Sequence, residues 1–329
     1  MKIIIDAMGG DFAPEAPVRG ALLAREKYGA DIILTGRTAD ILRELEKAGC
    51  KEVPQGIEIA NAEEVVEICD DPATAFKQKK DSSLTVGLNL LRDGQADGFI
   101  SAGSTGALLA GATLVVKRIR GLRRAALAPT IPTMTGKAVL IDCGANVDAR
   151  PSHLVQFAKM GSIYMEHVVG IKNPRVAIVN IGAEEEKGNA LVKETFPLLK
   201  ECKDINFIGS IEAREIPHGG ADVIVSEAFV GNVILKLYEG VGATLISMVK
   251  QGMMTSLRSK IGALLVKPAL KTTLKAFDAS QYGGAPLLGL KGLVVKTHGN
   301  SKRIEVCNSI LQCVTFKEQA INEKIKESL

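Results

Sequence analysis

Short apolar runs rich in β-branched residues recur along the chain, separated by stretches of helical periodicity. They read KIIIDA, ADIILTG, ADGFISAG, KAVLIDCG, RVAIVNIG, INFIGS, ADVIVSEAF and GLVVKTHG. A strand that is apolar on both faces belongs inside a parallel sheet, and parallel neighbours need a helix to cross back between them. The pattern therefore predicts an α/β fold: a three-layer α/β/α sandwich with a mostly parallel sheet. At 329 residues and 46% hydrophobic content the chain can bury a large core, and no fixed-period repeat or low-complexity linker divides it. Residues 1–329 are read as one catalytic domain.

Nearly every run ends in Gly, Asn, Ser or Asp, and in open α/β sheets ligands sit beyond those carboxyl ends. The first is followed by DAMGGD, where Gly9 and Gly10 stand between Asp6 and Asp11. Bare amides there can face an anion, or the glycines can simply serve a tight turn. SAGSTGALLAG at 101–111 places Ser104, Thr105 and Gly106 at a helix start; it lacks the Gly-Lys-Ser/Thr ending of a P-loop and reads as an anion seat or an ordinary cap. Asp142 and Asn146 follow the fourth run, with the same two readings. In NIGAEEEKGN, Glu184, Glu185 and Glu186 suit a solvated helix start, while Lys187, followed by Gly188 and Asn189, suits an anion contact. Glu227, Gly231 and Asn232 close SEAFVGN, and His298 lies in THGNS, as a proton or oxyanion group or as a structural histidine. No G-x-S-x-G elbow or catalytic cysteine signature occurs, so the nucleophile is expected to come from outside the chain.

Cations cluster in two places. KRIRGLRR at 117–124 carries Lys117, Arg118, Arg120, Arg123 and Arg124, a docking surface for an acidic partner or a solvated face. Residues 240–277 hold Lys250, Arg258, Lys260, Lys267, Lys271 and Lys275 with no acid. There Met253 or Met254, Leu257, Ile261 and Leu264 share a helical face, and Pro268 is expected to break or kink the helix. We expect a projecting helical arm, with Leu257, Ile261, Leu264 and Leu265 set against lipid or a second copy. Aromatics make up 4% of the chain, without tryptophan, which disfavours base stacking and hence nucleic acid. The six cysteines form no C-x-x-C pair and no zinc spacing with the four histidines, so no metal or cofactor is expected. The first residues do not read as a charged n-region followed by an apolar h-region, and no run reaches the roughly 18 apolar residues of a spanning helix. A cytoplasmic protein is expected.

The motifs DAMGGD at 6–11, SAGSTGALLAG at 101–111, DCGANVDARP at 142–151, NIG with KGN at 180–189, FVGNVILK at 229–236 and YGGAPLLGLKG with HG at 282–299 follow in order. Together they resemble the phosphate acyltransferases of bacterial phospholipid synthesis, the PlsX family. The resemblance implies transfer of a fatty acyl group from acyl-carrier protein to inorganic phosphate, giving acyl phosphate for a membrane glycerol-3-phosphate acyltransferase. It also implies a sandwich related to phosphotransacetylases and to isocitrate and isopropylmalate dehydrogenases, a homodimer, and a peripheral place at the membrane. For that reaction we expect Lys187 as the principal phosphate anchor, with Asn232 and His298 in catalysis. Asp6, Gly9, Gly10, Asp11, Ser104, Thr105, Gly106, Asn146, Asn189 and Glu227 line the substrates. The sequence departs from the family at Glu227-Ala228, where Asp-Gly is usual, at Ala213 for a glycine and at Ala125 for a proline. Two alternatives are an NAD-dependent decarboxylating dehydrogenase, whose metal-binding aspartates and arginine set are not found together, and a non-catalytic membrane scaffold for the carrier protein.

Overall fold

The structure is a computed structural model that describes residues 1–72, 74–276 and 283–329. Ala73 and residues 277–282, including Phe277 of the arm and Tyr282 of the last motif, lie outside it, as do the side chains of 271–276. Every apolar run forms a strand, and four further strands join them among the described residues: β1 (Lys2–Asp6), β2 (Asp31–Gly36), β3 (Ile57–Asn61), β4 (Gly98–Ser101), β5 (Ala126–Leu127), β6 (Thr130–Thr133), β7 (Gly136–Ile141), β8 (Arg175–Asn180), β9 (Asn206–Glu212), β10 (Val223–Val225), β11 (Ala285–Leu288) and β12 (Leu293–Lys296). The helices are α1 (Glu15–Tyr28), α2 (Thr38–Lys47), α3 (Ala75–Gln78), α4 (Ser83–Arg92), α5 (Thr105–Gly111), α6 (Pro151–Tyr164), α7 (Ala190–Glu201), α8 (Ala228–Met253), α9 (Leu257–Ala276), α10 (Arg303–Glu318) and α11 (Ile321–Glu327).

The expectation of a single sheet is corrected. Among the described residues the strands form a seven-stranded sheet, β3-β2-β1-β4-β12-β11-β5, and a five-stranded sheet, β6-β7-β10-β8-β9. Pairing is parallel except at β12–β11, β11–β5 and β6–β7. The division falls in the segment from β5 to β6, where Pro129 has no amide with which to continue a ladder. The sheets nevertheless meet there: the Cys143 amide donates to the Leu127 carbonyl at 3.0 Å and the Leu140 amide to the Pro129 carbonyl at 3.0 Å.

Alternation along β1 explains the layers. Ile3 and Ile5 pack with Val18 and Ala21 of α1 and Val306 and Ile310 of α10, whereas Ile4 packs with Leu84 and Leu88 of α4 and Leu108 of α5. Each isoleucine so buried contributes roughly 2 kcal/mol. The first of these cores continues into the second sheet through Val139, Ile141, Phe157 and Ile178.

The arm forms, but differently from the sequence expectation. It is two helices, the outer part of α8 and α9, with a break at Met254–Ser256 that interrupts the expected face from Met253 to Leu264. Ser256 starts α9 by accepting the Ser259 amide at 3.1 Å, which competes with a continuous helix. Pro268 lies inside α9 without ending it, where it removes the amide that would pair with the Leu264 carbonyl. The expectation that no segment could span a bilayer is also corrected: α8 is long and apolar enough by length and composition, and little of it is buried.

Candidate active site

The carboxyl ends of β1, β4 and β12 are adjacent, so the three loops that leave them form one rim. Asp6 is buried under it, accepting the Ser101 hydroxyl at 2.7 Å and the Met8 amide at 3.1 Å; burial pushes its carboxyl above the usual range, and the hydrogen bonds partly oppose that. The Gly103 amide donates to the Ser101 hydroxyl at 3.1 Å, and the Asp11 amide to the Gly299 carbonyl at 2.8 Å. Gly10 has φ +99°, and a Cβ there would stand 2.8 Å from that of Ala102. One at Gly9 would stand 2.7 Å from the Gly103 nitrogen. The two glycines thus let the DAMGGD and SAGS tips close on each other, and Asp6 holds the Ser101 hydroxyl and the Met8 amide from beneath.

On the smaller sheet Asp142 is fully buried at the end of β7. One of its oxygens accepts the amides of Leu127, Gly144 and Ala145 at 3.0–3.1 Å and the other the Asn146 side chain at 2.7 Å. Asn146 also donates to the Ala125 carbonyl at 2.7 Å, and its own carbonyl receives the Ala228 amide at 3.0 Å. Asn232 donates to the Cys143 carbonyl at 2.9 Å. Gly231 brings α8 onto this loop, since a Cβ there would lie 1.9 Å from the Asp142 carbonyl oxygen. Glu227 is the α8 cap, accepting the Phe229 amide at 2.6 Å and the Val230 amide at 2.9 Å. The longer carboxylate therefore holds the helix start that Asp-Gly occupies in the family pattern.

From that start α8 runs past the rim of the larger sheet. Asn232, Lys236 and Glu239 fall at i, i+4 and i+7, one helical face, and Glu239 lies 3.8 Å from His298 Nε2 and 3.5 Å from Lys236 Nζ. The site is the angle between the glycine rim and this face. It also contains a residue that the motif reading passed over, Lys296, the last residue of β12. Its side chain is buried beneath the loop tips and donates to the carbonyls of Ala102, at 3.2 Å, and Thr297. Burial depresses its amine to about 8, against the opposing pull of Asp6 and Asp11 and with the aid of Lys236. A lysine at the polar end of an otherwise apolar strand was the available signal.

Other expected residues have local work. Ser104 caps α5 through the Ala107 amide at 3.4 Å, Thr105 is the first residue of that helix, and Gly106 packs on Pro72. Asn189 caps α7 through the Val192 amide at 2.9 Å. Lys187 stands further along, in the loop leaving β8, half exposed, with its ammonium 2.8 Å from Glu184, whose carboxylate raises its affinity for a proton. The loops leaving β7 and β8 and the first turn of α8 also expose Val147, Ile181 and Phe229, apolar side chains that the polar motifs hid.

The KRIRGLRR loop lies beside Asn146, through its hold on Ala125. Arg118 donates to the Arg123 carbonyl, and the Arg123 amide donates to Gln156 on α6 at 3.0 Å. Arg150 joins this patch through His153, which is buried in the first turn of α6 and accepts the Arg150 amide at 3.1 Å. Burial, then Arg124, Arg150, Arg123 and Arg118, hold that imidazole below its usual range. Among the described residues, no three His, Cys, Asp or Glu side chains lie close enough to hold a metal ion.

Fold and rim together define an α/β protein whose glycine-rich strand ends gather along one edge. The fold, taken by itself, is similar to that of a phosphotransacetylase from Streptococcus pyogenes, at a TM-score of 0.64, 19% identity and coverage of 96% of this chain and 94% of that one. It is shared also with 4-hydroxythreonine-4-phosphate dehydrogenase from Klebsiella pneumoniae, at 0.51, 13%, 95% and 98%. The model of the "Fatty acid synthesis protein" family matches residues 1–324. Phosphate acyltransferases from Alkaliphilus oremlandii and Clostridium novyi are 49% and 47% identical over the whole of this chain and 97% and 98% of theirs. The chain belongs to the phosphate acyltransferase (PlsX) family.

Proposed function

We propose that the protein moves a fatty acyl group from the thioester of acyl-carrier protein to inorganic phosphate. The observation that carries this reading is the glycine rim of DAMGGD and SAGS facing the polar side of α8, in a chain whose full-length relatives are phosphate acyltransferases. Phosphate is a nucleophile already, so the site's task is to hold it against the thioester carbonyl and stabilise the charge that develops there. A phosphate oxygen forms the new bond to the acyl carbon, the carbon–sulfur bond breaks, and the thiolate leaves to take up a proton. Gly9 and Gly10 let the backbone approach the anion, and Asn232 and His298 serve the oxyanion and the leaving sulfur. Lys187 exchanges Glu184 for phosphate. Val147, Ile181 and Phe229 offer the acyl chain a dry surface beside the reacting carbon.

Arg118, Arg120, Arg123 and Arg124 border the same rim and suit docking of an acidic carrier protein. The exposed Leu257, Ile261, Leu264 and Leu265 of α9 suit a membrane surface, with the outer part of α8 available to a second copy. We read 1–329 as one dehydrogenase-like α/β/α unit with the arm at 240–277; a core cluster shared by both sheets supports this. A cytoplasmic enzyme resting on the membrane would hand acyl phosphate to a membrane acyltransferase for phosphatidic acid synthesis. The test is consumption of acyl thioester by the purified protein with phosphate as the sole addition. Loss of thioester matched by acyl phosphate supports the reading, and turnover that ignores phosphate or requires a nicotinamide overturns it.

A further inference from the structure

Lys296 is, among the described residues, a buried cation that the family motifs leave unassigned. An ammonium taken out of water needs a counterion or a full set of acceptors. The amine has three N–H donors, and two meet the carbonyls of Ala102 and Thr297. Among the described residues no carboxylate lies within ion-pair distance, although Asp6 and Asp11 are near enough to favour its charge. Asp6 is occupied by Ser101 and Met8, at 2.7 and 3.1 Å. The amine thus sits where the tips after β1, β4 and β12 converge, charged at neutral pH and, among the described residues, short of one partner.

We propose that Lys296 is a phosphate-binding residue of the acyl-transfer site, its third N–H donating to the bound anion while the other two fix the glycine tips around it. This rests on the reading that phosphate is the acyl acceptor. It adds a buried cation directly beneath the tips, where Asp6 and Asp11 would otherwise repel an anion. Lys187 is half exposed and already paired with Glu184. The charged groups facing Lys296 are Asp6 from β1, Asp11 from the first tip and Lys236 from α8; Glu239 lies next to Lys236, and His298 next to Glu239.

The test compares the native enzyme with Lys296→Met and Lys296→Arg, measuring KM for phosphate and for the acyl donor separately. Loss of a charge-assisted bond to the anion raises the phosphate KM of Lys296→Met by roughly 10- to 150-fold, with a far smaller change for the donor, and Lys296→Arg recovers part of it. In the native enzyme, calorimetric phosphate affinity weakens from about pH 8 to about pH 10 as the amine discharges near 8, a range in which phosphate is mainly the dianion and its own titration opposes no such loss. This titration decides the matter should the Met variant not fold. An unchanged phosphate KM, a rise confined to the donor, or a flat native titration overturns the proposal. Native turnover without any phosphate dependence would instead defeat the functional reading, a different result from phosphate-dependent turnover that survives Lys296→Met.

Discussion

Glu227 shows how one added methylene is absorbed by local hydrogen bonding. Its carboxylate reaches two amides of the first turn of α8, so Glu227→Ala should lose about 1 kcal/mol, with recovery in Glu227→Asp, readable in denaturant midpoints at unchanged slope. Lys296 makes the opposite prediction. Its folded value of about 8 lies below the ordinary 10.5, so the charged amine costs stability below pH 8 and the cost fades as pH rises toward 10.5. At most this amounts to roughly 3 kcal/mol, part of it offset by the two carbonyl contacts. Lys296→Met should therefore be no less stable than the native chain near pH 7, and should lose any advantage by about pH 10.5, in thermal scans across that range. Strong destabilisation at neutral pH would make the lysine structural. Lys187→Ala, by contrast, should abolish turnover and leave melting within about 0.5 kcal/mol of native, because the residue is exposed and its pair with Glu184 is a surface one. Gly10 was legible from sequence because the tip needs φ +99°. Lys296 was not, since a strand-terminal lysine resembles any solvated one until burial is known.

The elements that carry the site are strand ends and one helix. The apolar runs announced their strands because burial on both faces leaves an uninterrupted β-branched signature. The antiparallel pieces β5, β6 and β11 escaped notice because two to four residues give no period to read. α8 was split in the reading at residue 240, where its polar face gives way to an acid-free stretch, although the backbone runs on from Ala228 to Met253. That continuity lets one helix start at the smaller sheet and lay Asn232, Lys236 and Glu239 beside the larger one. On α9 the exposed Leu264 and Leu265 should act together: Leu264→Glu with Leu265→Glu is expected to reduce co-flotation with anionic vesicles while thioester turnover in solution persists. At the other edge of the site, Arg123→Glu with Arg124→Glu should raise KM for a carrier-bound donor at least about tenfold at low salt, with little change for a small thioester. Equal losses for both donors would move these arginines from docking into folding.

At the scale of the whole molecule, two sheets joined along β5 and β6 turn a row of strand ends into a bent rim with α8 laid across it. The class of fold and most of the rim could be read from the sequence because the strand ends combine glycine, short polar side chains and acids in a way that a sealed core would not tolerate. The division into two sheets, the position of α8 across them and the burial of Lys296 depend on contacts between residues far apart in the chain, which periodicity cannot supply. The central claim is that this rim seats free orthophosphate. Diffraction from crystals soaked in phosphate at a concentration that saturates turnover tests it most directly. The account predicts a tetrahedral anion between the Gly9–Gly10 tip and the α8 face at Asn232 and Lys236; an anion bound elsewhere, with the rim holding only water, would contradict it.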